Sequence, residues 1–136
     1  MRYVSRSKLL TDEDGTVLGF LSEAFKLRPS ESTLSVNWLE YFSGDRQSQI
    51  IEAVRLFRNT MDVKPKSAFG VGNVGKIRET CNASGYKVRI VYDPEQDNPS
   101  HAVIKNLPRD ELSLLEALAA DVFVELIRNA DIPQLS

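Results

Sequence analysis

The chain has a single cysteine, Cys81, which rules out an internal disulfide framework and any zinc site built from several thiolates. Its single histidine, His101, leaves no imidazole pair for a transition metal, so neither a metal nor a cofactor is expected. Nowhere does an uncharged run approach the roughly 18 residues that would span a bilayer, and the opening MRYVSRSKLLTDEDG has no apolar core of the kind a secretory signal needs. Charge of one sign is lacking as well. Against 17 basic residues stand 19 acidic ones, a formal net charge of −2, so the electrostatic footprint of a nucleic-acid binder is missing. The basic residues Arg46, Arg55, Arg58, Lys64 and Lys66 are interleaved with Glu52 and Asp62, which reads as a solvated face. These absences lead to the expectation of a cytosolic protein with no membrane partner and little use for nucleic acid.

What is present is an ordinary globular composition: 136 residues, 42% hydrophobic and 26% charged, enough for one domain over 1–136 with a single core. Tyr3 to Leu10 reads as a short strand, and Asp12-Glu13-Asp14-Gly15 as a tight turn. Thr16 to Leu27 fits neither the helical nor the strand period, and Arg28-Pro29 ends it. Leu34-Ser35-Val36 alternates as a strand, and Trp38 to Phe42 is a dense aromatic stretch suited to a core. Gly44-Asp45 supplies a capping signal, and Ile50, Val54, Phe57 and Met61 recur at helical spacing, so a helix is expected over 46–60. Ala68 to Val71 is a strand candidate. Tyr86 to Tyr92 alternates cleanly, and with His101 to Ile104 it forms a hairpin around the polar loop 93–100. The fold class that follows is α+β, a small, mainly antiparallel sheet packed against two or more helices.

Asp110 to Asn129 carries the broadest apolar pattern. Read at about 100° per residue, Leu112, Leu115, Leu118, Ala119, Val122, Phe123, Leu126 and Ile127 cover half a helix circumference, more than a single core stripe requires. A long amphipathic helix at about 110–129 is therefore expected. Its surplus edge, Leu118, Phe123 and Ile127 with acidic neighbours, is a surface for a protein partner or a second copy of the chain.

Three signals bear on chemistry. Gly70-Val71-Gly72-Asn73-Val74-Gly75 matches G-x-G-x-x-G, and Asp93 falls about 20 residues on, as in a dinucleotide site. The segment after the glycines is short and rich in weak helix formers, however, and too few elements follow to complete a doubly wound sheet. The competing reading is a glycine-punctuated strand over 68–77, so no dinucleotide binding is expected. His101 stands where a polar loop meets a strand. It serves either as a general acid or base oriented by Asp93 or Asp97, with Arg89 or Arg6 holding phosphate, or as an anchor for its own loop. Cys81 lacks a motif that would make it a nucleophile and reads as a packing residue.

Ala24-Phe25-x-x-Arg28-Pro29-x-Glu31, then Leu34-Ser35-Val36, and later Asp93-Pro94-x-x-Asp97-Asn98-Pro99-Ser100-His101-Ala102-x-Ile104 together resemble a group of small, uncharacterised bacterial proteins. The resemblance implies a bacterial source and an α+β domain, carries no activity, and leaves the C-terminal segment outside. The leading functional expectation is a non-catalytic bacterial interaction or accessory domain, of a size suited to a defence, toxin or immunity cassette, that forms an oligomer or binds a protein partner. The alternative is a small transferase or hydrolase acting on a nucleotide or nucleic acid through His101, Asp93, Asp97 and Arg89.

Overall fold

The run Ala68–Val71 becomes a strand, β5, that is buried along its whole length. In the computed structural model, which describes residues 1–133, it forms the middle of a three-stranded antiparallel sheet between β1 (Arg2–Val4) and β8 (Glu125–Arg128). Burial on both faces explains its composition. Phe69 and Val71 join Ile50, Ala53 and Val54 of α1 (Arg46–Thr60) in one core cluster, whereas Ala68 belongs to the other. Gly70 faces that second cluster too, where a Cβ would stand 2.9 Å from Phe20 Cζ, closer than real side chains approach.

Helix α1 follows the expected bounds. The Asp45 carboxylate accepts the Ser48 N–H at 2.8 Å, which satisfies one of the orphan donors of the first turn. The expected turn at Asp12 joins β2 (Leu9–Thr11) to β3 (Val17–Phe20), with the Asp12 carboxylate accepting from the N–H of Asp14 and of Thr16, each at 2.9 Å. A short 3₁₀ turn, Ser22–Phe25, follows β3. Two element types within Thr16–Leu27 are why that segment obeyed neither period.

The second three-stranded sheet has the order β4 (Leu34–Asn37), β7 (His101–Lys105), β6 (Arg89–Tyr92), all antiparallel. The register pairs Val36 and Tyr92 with Ala102, and Leu34 and Ile90 with Ile104, so these six share one face. Ser35, Val91 and Val103 share the other. The hairpin between β6 and β7 has the long loop expected at 93–100, although its first strand starts at Arg89 rather than Tyr86.

The C-terminal third differs from expectation. The helix α3 (Leu112–Ala117) runs into a π-helical turn over Leu118–Val122, and the chain then straightens into β8. In β8 successive residues face opposite sides: Leu126 packs on one core cluster and Ile127, paired with Phe69, on the other. Adjacent residues on opposite faces of a strand look like neighbours on a broad helical face when turned by 100°, and this inflated the apolar arc. The open edge of β5 decided the conformation, because its main-chain groups needed a second partner strand. No helix among the described residues is long and apolar enough to cross a membrane.

Candidate functional site

The expected site residues fall in three places. Leu118 and Phe123 are completely enclosed, Phe123 stacking on Phe25 with ring centroids 4.5 Å apart, while Ile127 is partly buried within the first sheet. The three do not share one edge of a continuous helix, because Leu118 lies in the π-helical turn, Phe123 follows it and Ile127 is in β8.

His101 lies on the outer face of the β4–β7–β6 sheet and is 7% exposed. Its Nδ1 is 2.8 Å from the Asp93 carbonyl oxygen, which only accepts, so Nδ1 carries the hydrogen. In the neutral ring Nε2 is then the acceptor, and the Ser35 hydroxyl at 3.1 Å donates to it. The Asp93 carboxylate stands 3.5 Å from Nδ1 and that of Glu95 3.9 Å. Asp97 is exposed and makes no such approach, and Arg89 pairs with Lys105 at the far end of the hairpin. Arg6 is exposed in a 3₁₀ turn, Arg6–Lys8. Of the sequence-derived constellation, the fold thus unites His101 with Asp93 alone and adds Ser35, which no motif singled out. Ser35 was recognisable only as a strand residue, since its contact with His101 is diagonal across two strands far apart in the chain. Its main chain is tied down as well: the Arg2 guanidinium donates to the Ser35 carbonyl at 2.8 Å and to that of Ala24 at 2.7 Å, and burial lowers its pKa to about 10.

The opposite face of the same sheet opens on a cleft of about 1050 Å³. Val36, Ile90, Ala102 and Ile104 form its sheet wall, and Gly72 to Ile77, leading into helix α2 (Val74–Ala83), forms the facing wall. Asp121 to Glu125 and Trp38 to Glu40 complete the lining. Nine large apolar side chains are exposed among the described residues, and four of them, Trp38, Val74, Tyr92 and Val124, line this cleft. Trp38 and Tyr92 meet edge to face with centroids 5.7 Å apart, and the Tyr92 hydroxyl donates to the Pro99 carbonyl at 2.6 Å. The charged lining is four carboxylates, Glu40, Glu79, Asp121 and Glu125, against Arg46 and Lys76. Arg46 is engaged by Glu125; Glu40, Glu79 and Asp121 make no ion pair among the described residues. Sequence reading missed this cleft because its lining comes from segments scattered along the chain, and the one that carries a motif, the glycine segment, was read as a strand. Ser35 and His101 do not line it.

The glycine segment is one of those walls, and its geometry is not that of a dinucleotide fold. Residues 74–83 are helical, capped by the Asn73 side chain on the Lys76 N–H at 3.1 Å, so the reading of 68–77 as one strand is corrected. The strand before the helix and the strand after it belong to different sheets, so the parallel crossover that places a pyrophosphate is lacking. Gly70 is held by Phe20, and a Cβ on Gly72 would stand 3.1 Å from the Phe123 ring; ring packing accounts for both glycines. Cys81 is fully buried, which raises its thiol pKa and makes it inert. Among the described residues, no group of three or more His, Cys, Asp or Glu side chains is placed to hold a metal ion. Several basic residues are committed internally: Arg58 donates to Asn129, Ile132 and Pro133, Arg55 pairs with Glu52, and Lys64 with Asp62.

Compared with known protein families, with curated protein sequences and with solved structures, the chain matches none.

Proposed function

We propose that the protein is a non-catalytic interaction domain working in the bacterial cytosol, and that it takes apolar side chains of a protein partner into the cleft between the β4–β7–β6 sheet and α2. The observation that carries this reading is the gathering of four of nine exposed large apolar side chains around one cavity. Exposed apolar area concentrated in a concave site is what binding surfaces have and the rest of a surface lacks. His101 supports it in a second way: with both ring nitrogens engaged and its side chain nearly sealed, it serves the loop that follows β6. This reading moves the partner surface from a C-terminal helix to the cleft, to which the C-terminal segment contributes Asp121 to Glu125.

The test is panning of a random displayed-peptide library against the wild-type chain and a Tyr92→Ala/Val124→Ser variant. The sole tryptophan, Trp38, sits at the cleft and reports occupancy by a blue shift of its emission. Peptides that bind the wild type, shift Trp38 emission and lose at least tenfold in affinity for the variant are the expected result. A peptide pool that bound both proteins equally would end the cleft reading.

A second reading rests on the Ser35 hydroxyl. A hydroxyl donating to one nitrogen of a ring whose other nitrogen is fixed by the Asp93 main-chain carbonyl is the connectivity of a nucleophile, its base and an orienter. Under this reading Ser35 Oγ attacks an activated acyl or phosphonyl centre while His101 Nε2 takes its proton. A fluorophosphonate would then lose fluoride to form an adduct on Ser35, detectable by mass spectrometry and abolished by His101→Gln. An unmodified Ser35 after prolonged exposure would exclude it.

A further inference from the structure

We infer that the partner enters as an extended, basic segment that adds to the β4–β7–β6 sheet along β6 and sends alternate side chains into the cleft. This rests on the cleft reading above and specifies the occupant.

The first argument is the state of the two sheet edges. In an antiparallel ladder alternate residues direct both main-chain groups to the same neighbour. Asp93 donates its N–H to the His101 carbonyl at 2.9 Å, which fixes the phase: Arg89 and Val91 bond to β7, and Ile90 and Tyr92 turn their N–H and C=O groups outward. Among the described residues these outward groups meet no partner. The edge formed by β4 is occupied, since the Asn37 N–H donates to the Met1 carbonyl at 2.7 Å and the Ser35 carbonyl is taken by Arg2. One edge is closed and the other is open. The residues whose main chain is free at the open edge, Ile90 and Tyr92, are also the β6 residues whose side chains line the cleft. A strand laid against β6 would therefore gain main-chain hydrogen bonds and insert every second side chain into the cleft, as in other strand-addition complexes.

Charge then selects the segment. Glu40, Glu79 and Asp121 border the cleft without an ion pair among the described residues; once Arg46 is engaged by Glu125, Lys76 opposes them together with the Met1 amino group, whose pKa burial lowers to about 5. Lysine or arginine side chains on the incoming strand would meet these carboxylates, whereas an acidic strand would be repelled. An apolar cleft with an acidic border thus fits a strand alternating aliphatic or aromatic with basic residues.

The experiment uses the peptides that the library yields. In Ile90→Pro the outward N–H is lost while the ladder to β7 keeps its donors, because proline is tolerated on an edge strand where its nitrogen faces solvent; Ile90→Val retains the N–H. Circular dichroism checks that each variant is folded, and N-methylation of alternate peptide residues removes the reciprocal hydrogen bonds, those that the peptide N–H groups donate to the outward carbonyls of Ile90 and Tyr92. The expected results are enriched peptides of net positive charge, and at least tenfold weaker binding to Ile90→Pro but not to Ile90→Val. An equal loss is expected on peptide N-methylation, and a further loss of about tenfold in the Glu40→Gln/Glu79→Gln/Asp121→Asn variant. Peptides that need Tyr92 and Val124 but are neutral or acidic, or that tolerate both Ile90→Pro and N-methylation, would overturn this inference and leave the cleft reading standing. Peptides indifferent to Tyr92 and Val124 would overturn both.

Discussion

On the outer face of the β4–β7–β6 sheet a histidine is hydrogen-bonded to a serine hydroxyl and to the main-chain carbonyl of an aspartate, and two side-chain oxygens of the adjoining loop, those of Asn98 and Ser100, are buried without a partner among the described residues. On the inner face of the same three strands lie Leu34, Val36, Ile90, Tyr92, Ala102 and Ile104, all but Leu34 lining a cavity. One strand, β7, supplies both His101 and Ala102. The period of two in a strand is enough to separate them completely. Polar chemistry lies on the side that the loop 93–100 closes, and the room for a ligand lies on the side that holds no histidine, serine or cysteine. A residue type that attracts attention in a sequence is therefore a poor guide to where a molecule can be approached.

This comparison gives four tests, from the largest expected effect to the smallest. Ile104 is fully buried at the deep end of the inner face, and Ile104→Ala should lower stability by about 2–5 kcal/mol in denaturant titration. A loss below about 1 kcal/mol would mean that the inner face is not continuous with the core. His101→Ala leaves the Asp93 carbonyl and the Ser35 hydroxyl without their ring partner, and should cost about 1–3 kcal/mol while peptide binding reported by Trp38 stays unchanged. His101→Gln, which retains a donor and an acceptor, should lose less than His101→Ala. If either histidine variant altered cleft binding, the two faces would be coupled and the separation drawn above would fail. Val124 is 69% exposed, so Val124→Ser should shift stability by no more than about 0.5 kcal/mol, yet weaken peptide binding severalfold. Cys81 provides the smallest signal. Its buried thiol, with a raised pKa, should react with a thiol reagent only as fast as the chain opens, at the same rate in Ile90→Val as in the wild type. Because the folded chain retains that proton to higher pH than the unfolded chain does, stability should also decline as pH rises into the range where a free thiol ionises.

Local signals were legible wherever a short stretch settles its own conformation. Gly44-Asp45 ahead of Ile50 and Val54 defined α1 because cap and apolar stripe lie within a few turns of each other. Tyr86 to Tyr92 alternated, and its second half, Arg89 to Tyr92, formed a strand pair with His101–Lys105. The expected α+β class with antiparallel strands follows from such elements and agrees with the structure. The segment after Ala117 was not legible: no glycine or proline marks the end of the helix, and the demand for a strand came from β5, over fifty residues away. The His101–Ser35 contact was equally hidden, since it depends on the order of strands in a sheet. Of the candidate site, the sequence exposed the loop and its histidine, and the cleft became visible only when distant segments were brought together.

The sheet β1–β5–β8 draws its strands from residues 2–4, 68–71 and 125–128, so no tight turn brings any two of them together. Each pairing must close a loop of about sixty residues before a single ladder bond forms, which places this sheet among the slow, late steps of folding. Helix α1 and the β2–β3 hairpin need only near neighbours and can form much sooner. In the interval, Ala68-Phe69-Gly70-Val71 is an apolar strand with both edges unpaired. Until β1 and β8 arrive, it is the segment through which incompletely folded chains would adhere to one another, and slow release from a ribosome or high expression would lengthen that exposure.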